Sequence, residues 1–334
     1  MDRAAGTLFG LAYGDALGRT TEFLTVADIV QRYGPGGPRE LTGDPALVTD
    51  DTQMALAVAW ALHEAEPTPE ILQRRLRDRF VAWSVSPDND RAPGRTCLQA
   101  CAALARGVPW QHATVADSKG CGANMRVAPV GLVPDYDLDT LAGVAQLQAA
   151  LTHGHPTALV ASELTAYAVY VLRQGAALTD LPDLLRARCH QERTRYRGDW
   201  LGELWRRHPV ASPEEFAAQG WDECVAALDR LDAALAVPDD GSDPCLTTGA
   251  GWIAEEALAT ALQCVLRHRE EPVTALARAA TTSGDSDSIA CLAGAFLGAA
   301  YGMAAWPAEW AHRIEYADQL AALADSFGTT GTPG

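Results

Sequence analysis

Two short acidic clusters, Thr49-Asp50-Asp51-Thr52 and Gly284-Asp285-Ser286-Asp287-Ser288, hold the residue types best suited to chemistry in this chain. Each is followed directly by an apolar run that reads as a helix. Carboxylates and hydroxyls at a helix mouth point out of the fold and can converge on a cation. Four Asp with Ser or Thr hydroxyls make an all-oxygen ligand set, which suits Mg²⁺ or Mn²⁺ and suits zinc or copper poorly. A single such cluster is explained well enough as a helix cap. Two are not, because Asp50 with Asp51, and Asp285 with Asp287, crowd like charges that a cap does not need and that a cation would neutralise.

The elements that must position these clusters are helical. Residues 4–18 form an apolar helix with Gly10, Gly14 and Gly18 on one side, and the late helix repeats the spacing with Gly294, Gly298 and Gly302. Glycines four apart strip one ridge of side chains and let another backbone approach closely. The two helices are therefore expected to pack together and to bring the N-terminal segment beside Asp285. Further helices are expected over about 52–64, 69–83, 96–106, 158–173, 221–237 and 252–267, with loops at 87–94 and 238–251. Strand-like alternation is scarce and no linker divides the chain, so the expectation is an all-α fold: one compact helical domain over 1–327 with a disordered tail at 328–334. The twenty uncharged residues from Ile289 to Ala308 are long enough to span a bilayer. Their Ala/Gly-rich composition, acidic entrance and lack of a Lys/Arg flank predict a buried central helix instead.

Composition narrows the function. The 334 residues carry a net charge of −17, which argues against a broad basic face for nucleic acid or an anionic membrane. A phosphate-bearing substrate would need local Arg, backbone N–H groups or a metal. Lys119 is the sole lysine, so a Schiff base could form only there, and G-x-x-x-x-G-K-[ST], G-x-S-x-G and H-E-x-x-H are all missing. Eight Cys without C-x-x-C spacing, and no secretory signal, point to reduced thiols and a cytoplasmic location.

Three further segments carry possible binding groups. In the run from Lys119 to Gly131, glycines free backbone N–H groups to face an anion and Arg126 is available to a carboxylate or phosphate; an ordinary turn with a buried ion pair is the competing reading. His153 and His155 stand at a helix entrance, a place where His serves as phosphate donor or as cap. Residues 186–207 hold seven Arg amid Glu192, Asp199 and Glu203, which reads as a solvated face laced with ion pairs more readily than as a phosphate-binding patch.

Together these motifs resemble the ADP-ribosylglycohydrolase family, the dinitrogenase-reductase-activating glycohydrolases and their relatives. The resemblance is carried by Gly10 to Gly18 with Glu22, Thr49 to Thr52, Gly120-x-Gly-x-x-Met-Arg126 with Pro129 and Gly131, Thr152-His153, and Gly284 to Ser288. It implies an all-α fold with a central cleft for two Mg²⁺ (or Mn²⁺) ions, held by Thr49, Asp50, Asp51, Asp285, Asp287 and Ser288. It also implies hydrolysis at C1″ of an ADP-ribosyl group, with arginine-linked protein favoured over serine, nucleobase or small-molecule conjugates. Glu22 is the candidate acid/base, with Asp51 and Asp285 also catalytic. Gly120, Cys121, Gly122, Asn124, Met125 and His153 are the expected substrate contacts, and 186–207 a possible docking surface. Ala92 stands where some relatives have a catalytic Asp, leaving Asp88 or Asp90 as substitutes, or a module that binds ADP-ribose without cleaving it. The oligomeric state is left open.

Overall fold

The computed structural model describes residues 2–63 and 66–328. Among them are thirteen helices of eight residues or more: α1 (Arg3–Gly18), α2 (Val26–Tyr33), α3 (Asp50–His63), α4 (Pro69–Ser84), α5 (Arg95–Ala105), α6 (Leu138–Ala150), α7 (Pro156–Arg173), α8 (Leu181–Glu192), α9 (Pro213–Leu235), α10 (Ala254–Arg267), α11 (Pro272–Ala279), α12 (Ser286–Tyr301) and α13 (Ala317–Gly328). No strand occurs among the described residues, only isolated bridges, so the all-α expectation holds. Gly328 ends α13, and the rest of the expected tail lies outside the described residues. The helix ends follow local chemistry. Asp2 caps α1 by accepting from Ala5 N–H, and Pro sits in the first turn of α7 and α9, where its missing N–H costs nothing.

The centre of the domain is the antiparallel pair α1 and α12. Gly6, Gly10, Gly14 and Gly18 face, in turn, Gly298, Gly294, Ala290 and Asp287. A Cβ placed on Gly294 would stand 1.9 Å from the Gly10 carbonyl oxygen, and one on Gly14 would stand 2.0 Å from that of Ala290. The two backbones thus touch directly, as the glycine spacing predicts. Helix α12 is long and apolar enough to cross a membrane, yet Ser286 to Ala299 are all buried, with α1, α7, α10 and α11 packed around them. This contact fixes the site: Gly18 lets α1 come so close that a Cβ there would lie 2.3 Å from the Asp287 Cα.

Candidate metal centre and active site

The lowest layer of the site is Asp15, the one charged residue between Ala4 and Gly18 of α1 and wholly buried. Its carboxylate accepts from the Thr49 N–H (3.0 Å) and hydroxyl (2.8 Å), and from the Thr52 N–H (3.1 Å) and hydroxyl (2.5 Å). It thereby caps α3 and orients the first acidic cluster, a role that sequence reading missed. Its signal was a lone carboxylate inside an otherwise apolar, glycine-lined helix. Above this layer Asp50 and Asp51, from the first turn of α3, meet Asp285, Asp287 and Ser288, from the start of α12. Glu22, just past the end of α1, joins them: one oxygen each of Glu22, Asp285 and Asp287 lie within 4.8 Å of one another.

These groups form one end of a cavity of about 670 Å³, a size suited to a substantial ligand. Its remaining wall comes from Ala92 to Cys97, Gly120, Cys121, Gly122, Met125, His153, and Phe23 with Trp252 at the rim. The glycine turn is pinned by the Cys121 N–H to Trp252 O bond (3.0 Å) and the Ala254 N–H to Lys119 O bond (2.9 Å). Gly122 packs on His153 so closely that a Cβ would come within 3.1 Å of the ring. Thr152 Oγ1 pairs with His153 Nδ1 at 2.8 Å, leaving Nε2 on the side of Gly120 and Gly122. Burial and the nearby Arg126 push the His153 pKa well below its usual value, so this imidazole is neutral.

Two expected site residues take other places. Thr49 stands one layer below the cavity wall, where its amide and hydroxyl both donate to the buried Asp15 carboxylate while the hydroxyl oxygen keeps its acceptor lone pairs. Asn124 donates from Nδ2 to Ala254 O (3.0 Å) and is fully buried, bracing the turn from behind rather than lining the cavity. Arg126 has no carboxylate partner among the described residues and does not line the cavity. It is fully buried, donates to Gln148 Oε1 (2.8 Å), Gln148 O (2.7 Å) and Thr152 Oγ1 (2.8 Å), and lies 4.3 Å over the Phe80 ring. Neither Asp88 nor Asp90 lines the cavity that Ala92 borders. Asp88 accepts from the Tyr316 hydroxyl, Asp90 lies outside the cavity beside Arg91, and Ala92 itself has φ of 53°. That loop is held by Arg91, which forks onto Glu315 (2.5 and 3.0 Å) and also donates to Val48 O (2.7 Å), next to the first acidic cluster. The seven Arg of 186–207 are all engaged: Arg188 and Arg197 in a buried network with Glu163 and Glu192, Arg186, Arg193, Arg195 and Arg206 with acidic side chains, Arg207 with backbone carbonyls.

The electrostatics ask for a cation. Burial first, then the charge of Asp287, pushes Glu22 up to about 9 and Asp15 up to about 6. Burial likewise raises Asp50 to about 7 against a lowering hydrogen bond from the Gly94 N–H (3.1 Å), and lifts Asp51 and Asp285 well above the usual carboxylate range. None of these carboxylates has an Arg or Lys ion-pair partner among the described residues. Asp51 Oδ2 is buried with no hydrogen bond at all, an arrangement that costs free energy unless something positive or protic meets it. The donor set is all oxygen from five carboxylates and Ser288, which fits a hard divalent ion.

The model of the family described as ADP-ribosylglycohydrolase matches residues 1–333. The chain belongs to the ADP-ribosylglycohydrolase family. Its members are hydrolases. The chain is 32% identical over 199 residues to the ADP-ribosyl-[dinitrogen reductase] glycohydrolase of Rhodospirillum rubrum, a match covering 58% of this chain and 65% of that one. It is 26% identical over 337 residues to the ADP-ribosylarginine hydrolase Tri1 of Pseudomonas putida, covering 98% and 78%. At 32% to 34% identity the chain spans 53% to 65% of the curated relatives' own length. A solved structure named as an ADP-ribosylglycohydrolase-related protein complex superposes with a TM-score of 0.70 at 25% identity, covering 98% of this chain and 97% of that one.

Proposed function

We propose that this protein is a metal-dependent hydrolase that cleaves the glycosidic bond at C1″ of an ADP-ribosyl group, releasing ADP-ribose from a modified protein, with an arginine linkage favoured. The observation that carries the reading is the cavity end where five carboxylates converge without a protein counter-cation and Asp51 Oδ2 lacks any partner. Asp50, Asp51, Asp285, Asp287 and Ser288 would hold two Mg²⁺ or Mn²⁺ ions, with Glu22 beside them and Asp15 setting the orientation of α3 from below. When bound, such ions orient the ribose hydroxyls and polarise water.

The chain's own groups supply the rest. Glu22, half-buried beside the two acidic clusters, would act as the acid/base: it gives a proton to the leaving nitrogen and takes one back from the water that adds to C1″. The surrounding carboxylates stabilise the positive charge that an oxocarbenium-like sugar develops as the bond breaks. His153 and the Gly120–Gly122 turn form the neutral wall along which the remainder of the ligand lies. An arginine linkage is supported by the Pseudomonas putida relative, an ADP-ribosylarginine hydrolase matched over 98% of this chain, and by the acidic site, which favours a cationic guanidinium leaving side. One observation favours a second reading, a module that binds ADP-ribose without cleaving it: Ala92 lines the cavity and neither Asp88 nor Asp90 reaches it.

Asp285→Asn and Asp285→Ala test the site. Both are expected to abolish Mn²⁺ binding, followed by calorimetry or spin resonance, together with turnover. Wild-type metal affinity in both variants rejects the assigned centre.

A further inference from the structure

The cavity wall is electrostatically one-sided. Five carboxylates face it, His153 is neutral, and among the described residues Arg95 is the only cationic side chain on it. The other nearby cations are committed elsewhere: Lys119 to Glu223 (2.7 Å) and Glu255 (2.5 Å), Arg91 to Glu315, and Arg126 to Gln148 and Thr152. Arg95 is exposed and has no hydrogen bond or ion pair among the described residues, in a chain that carries 43 acidic residues.

Its backbone, by contrast, is held on both sides. The preceding Gly94 donates its N–H to Asp50 (3.1 Å), tying it to the acidic end. The following Thr96 shares a hydrogen bond with the Ser118 hydroxyl (3.0 Å), which also accepts from the Gly120 N–H (3.4 Å), tying it to the glycine turn. Arg95 therefore sits between the metal centre and the turn, anchored at its root and free at its head. The turn itself offers an anion less than its sequence promises, because the Gly120 and Cys121 amides are already engaged by Ser118 Oγ and Trp252 O.

We propose that Arg95 is the residue that recognises the diphosphate of the bound ADP-ribosyl group. The proposal rests on the function proposed above and names the group that offsets the ligand's charge between the acidic end of the cavity and the glycine turn. A guanidinium can hold phosphate oxygens through two parallel N–H bonds, and it supplies the local cation that a doubly negative ligand needs when approaching a chain of net charge −17.

Arg95→Gln and Arg95→Lys, both at an exposed position, are titrated with ADP-ribose, with adenosine and with Mn²⁺ alone. Arg95→Gln is expected to raise the Kd for ADP-ribose on the order of ten- to a hundredfold, the effect of losing a charge-assisted contact, with Mn²⁺ and adenosine affinities unchanged; Arg95→Lys recovers part of the loss. Wild-type ADP-ribose affinity in Arg95→Gln overturns the assignment of Arg95 alone. Failure of the wild-type protein to bind ADP-ribose overturns it together with the function on which it rests.

Discussion

Asp15 has a full set of hydrogen bonds and Asp51 Oδ2 has none, although both carboxylates are buried within the same few residues of structure. The first braces α3; the second is an oxygen that the proposed metal site would use. The acidic clusters were legible in the sequence because paired like charges at two helix starts have no purely structural use. What spacing could not tell was which oxygens turn inward: Thr49 and Asn124 sit at the expected positions along the chain, but Asp15 and Ala254, distant in sequence, claim their side chains. Arg95 escaped notice for the same reason, since only the folded cavity reveals that every other nearby cation is already paired. The raised carboxylates predict a pH signature. A group whose pKa lies higher in the fold than in the unfolded chain retains protons in the folded state, so its contribution to stability is present at low pH and lost as pH rises through the folded value. With chelator, Tm should therefore fall between about pH 5 and pH 9, the span from ordinary carboxylates to Glu22. Bound metal offsets that loss, so the Tm gap between Mn²⁺ and chelator, read by scanning fluorimetry, should widen as pH rises. A gap independent of pH would remove the link between these carboxylates and the ion.

At the scale of elements, the two glycine stripes were the clearest signal in the sequence, and they predicted the α1–α12 contact on which the site depends. Helix starts at Asp50, Pro69 and Arg95 fell within two residues of expectation, because caps, prolines and apolar periodicity mark them locally. Helices α2, α6, α8, α11 and α13 were not distinguished. Buried on every side, Leu141 to Ala150 of α6 shows little amphipathic period, while α2 and α11 are only eight residues long. The close contact makes a quantitative prediction. Gly294→Ala forces a Cβ into the Gly10 carbonyl, so it should destabilise the protein by at least the ~1–3 kcal/mol typical of overpacking. Gly198→Ala, whose Cβ would meet only the Tyr196 ring at 3.7 Å, should cost far less. Denaturant midpoints compare the two, and equal midpoints would mean that the α1–α12 backbones have room to separate.

For the molecule as a whole, the absence of period-2 alternation and of any linker was enough to read a single all-α domain, and the structure bears out both points. The charge of −17 is more informative in three dimensions than as a sum. The arginines of 186–207 neutralise neighbouring acids or bond backbone carbonyls, so that stretch is a braced face, whereas the acids of the two clusters remain uncompensated and face one cavity. Such a concentration of unpaired negative charge is what the proposed metal-dependent function requires. The most direct measurement is release of free ADP-ribose from arginine-, serine- and nucleobase-linked conjugates, each with Mg²⁺, with Mn²⁺ and with chelator. The account predicts release from the arginine-linked conjugate that chelator abolishes; bound ADP-ribose without release from any linkage, metals present, would contradict it.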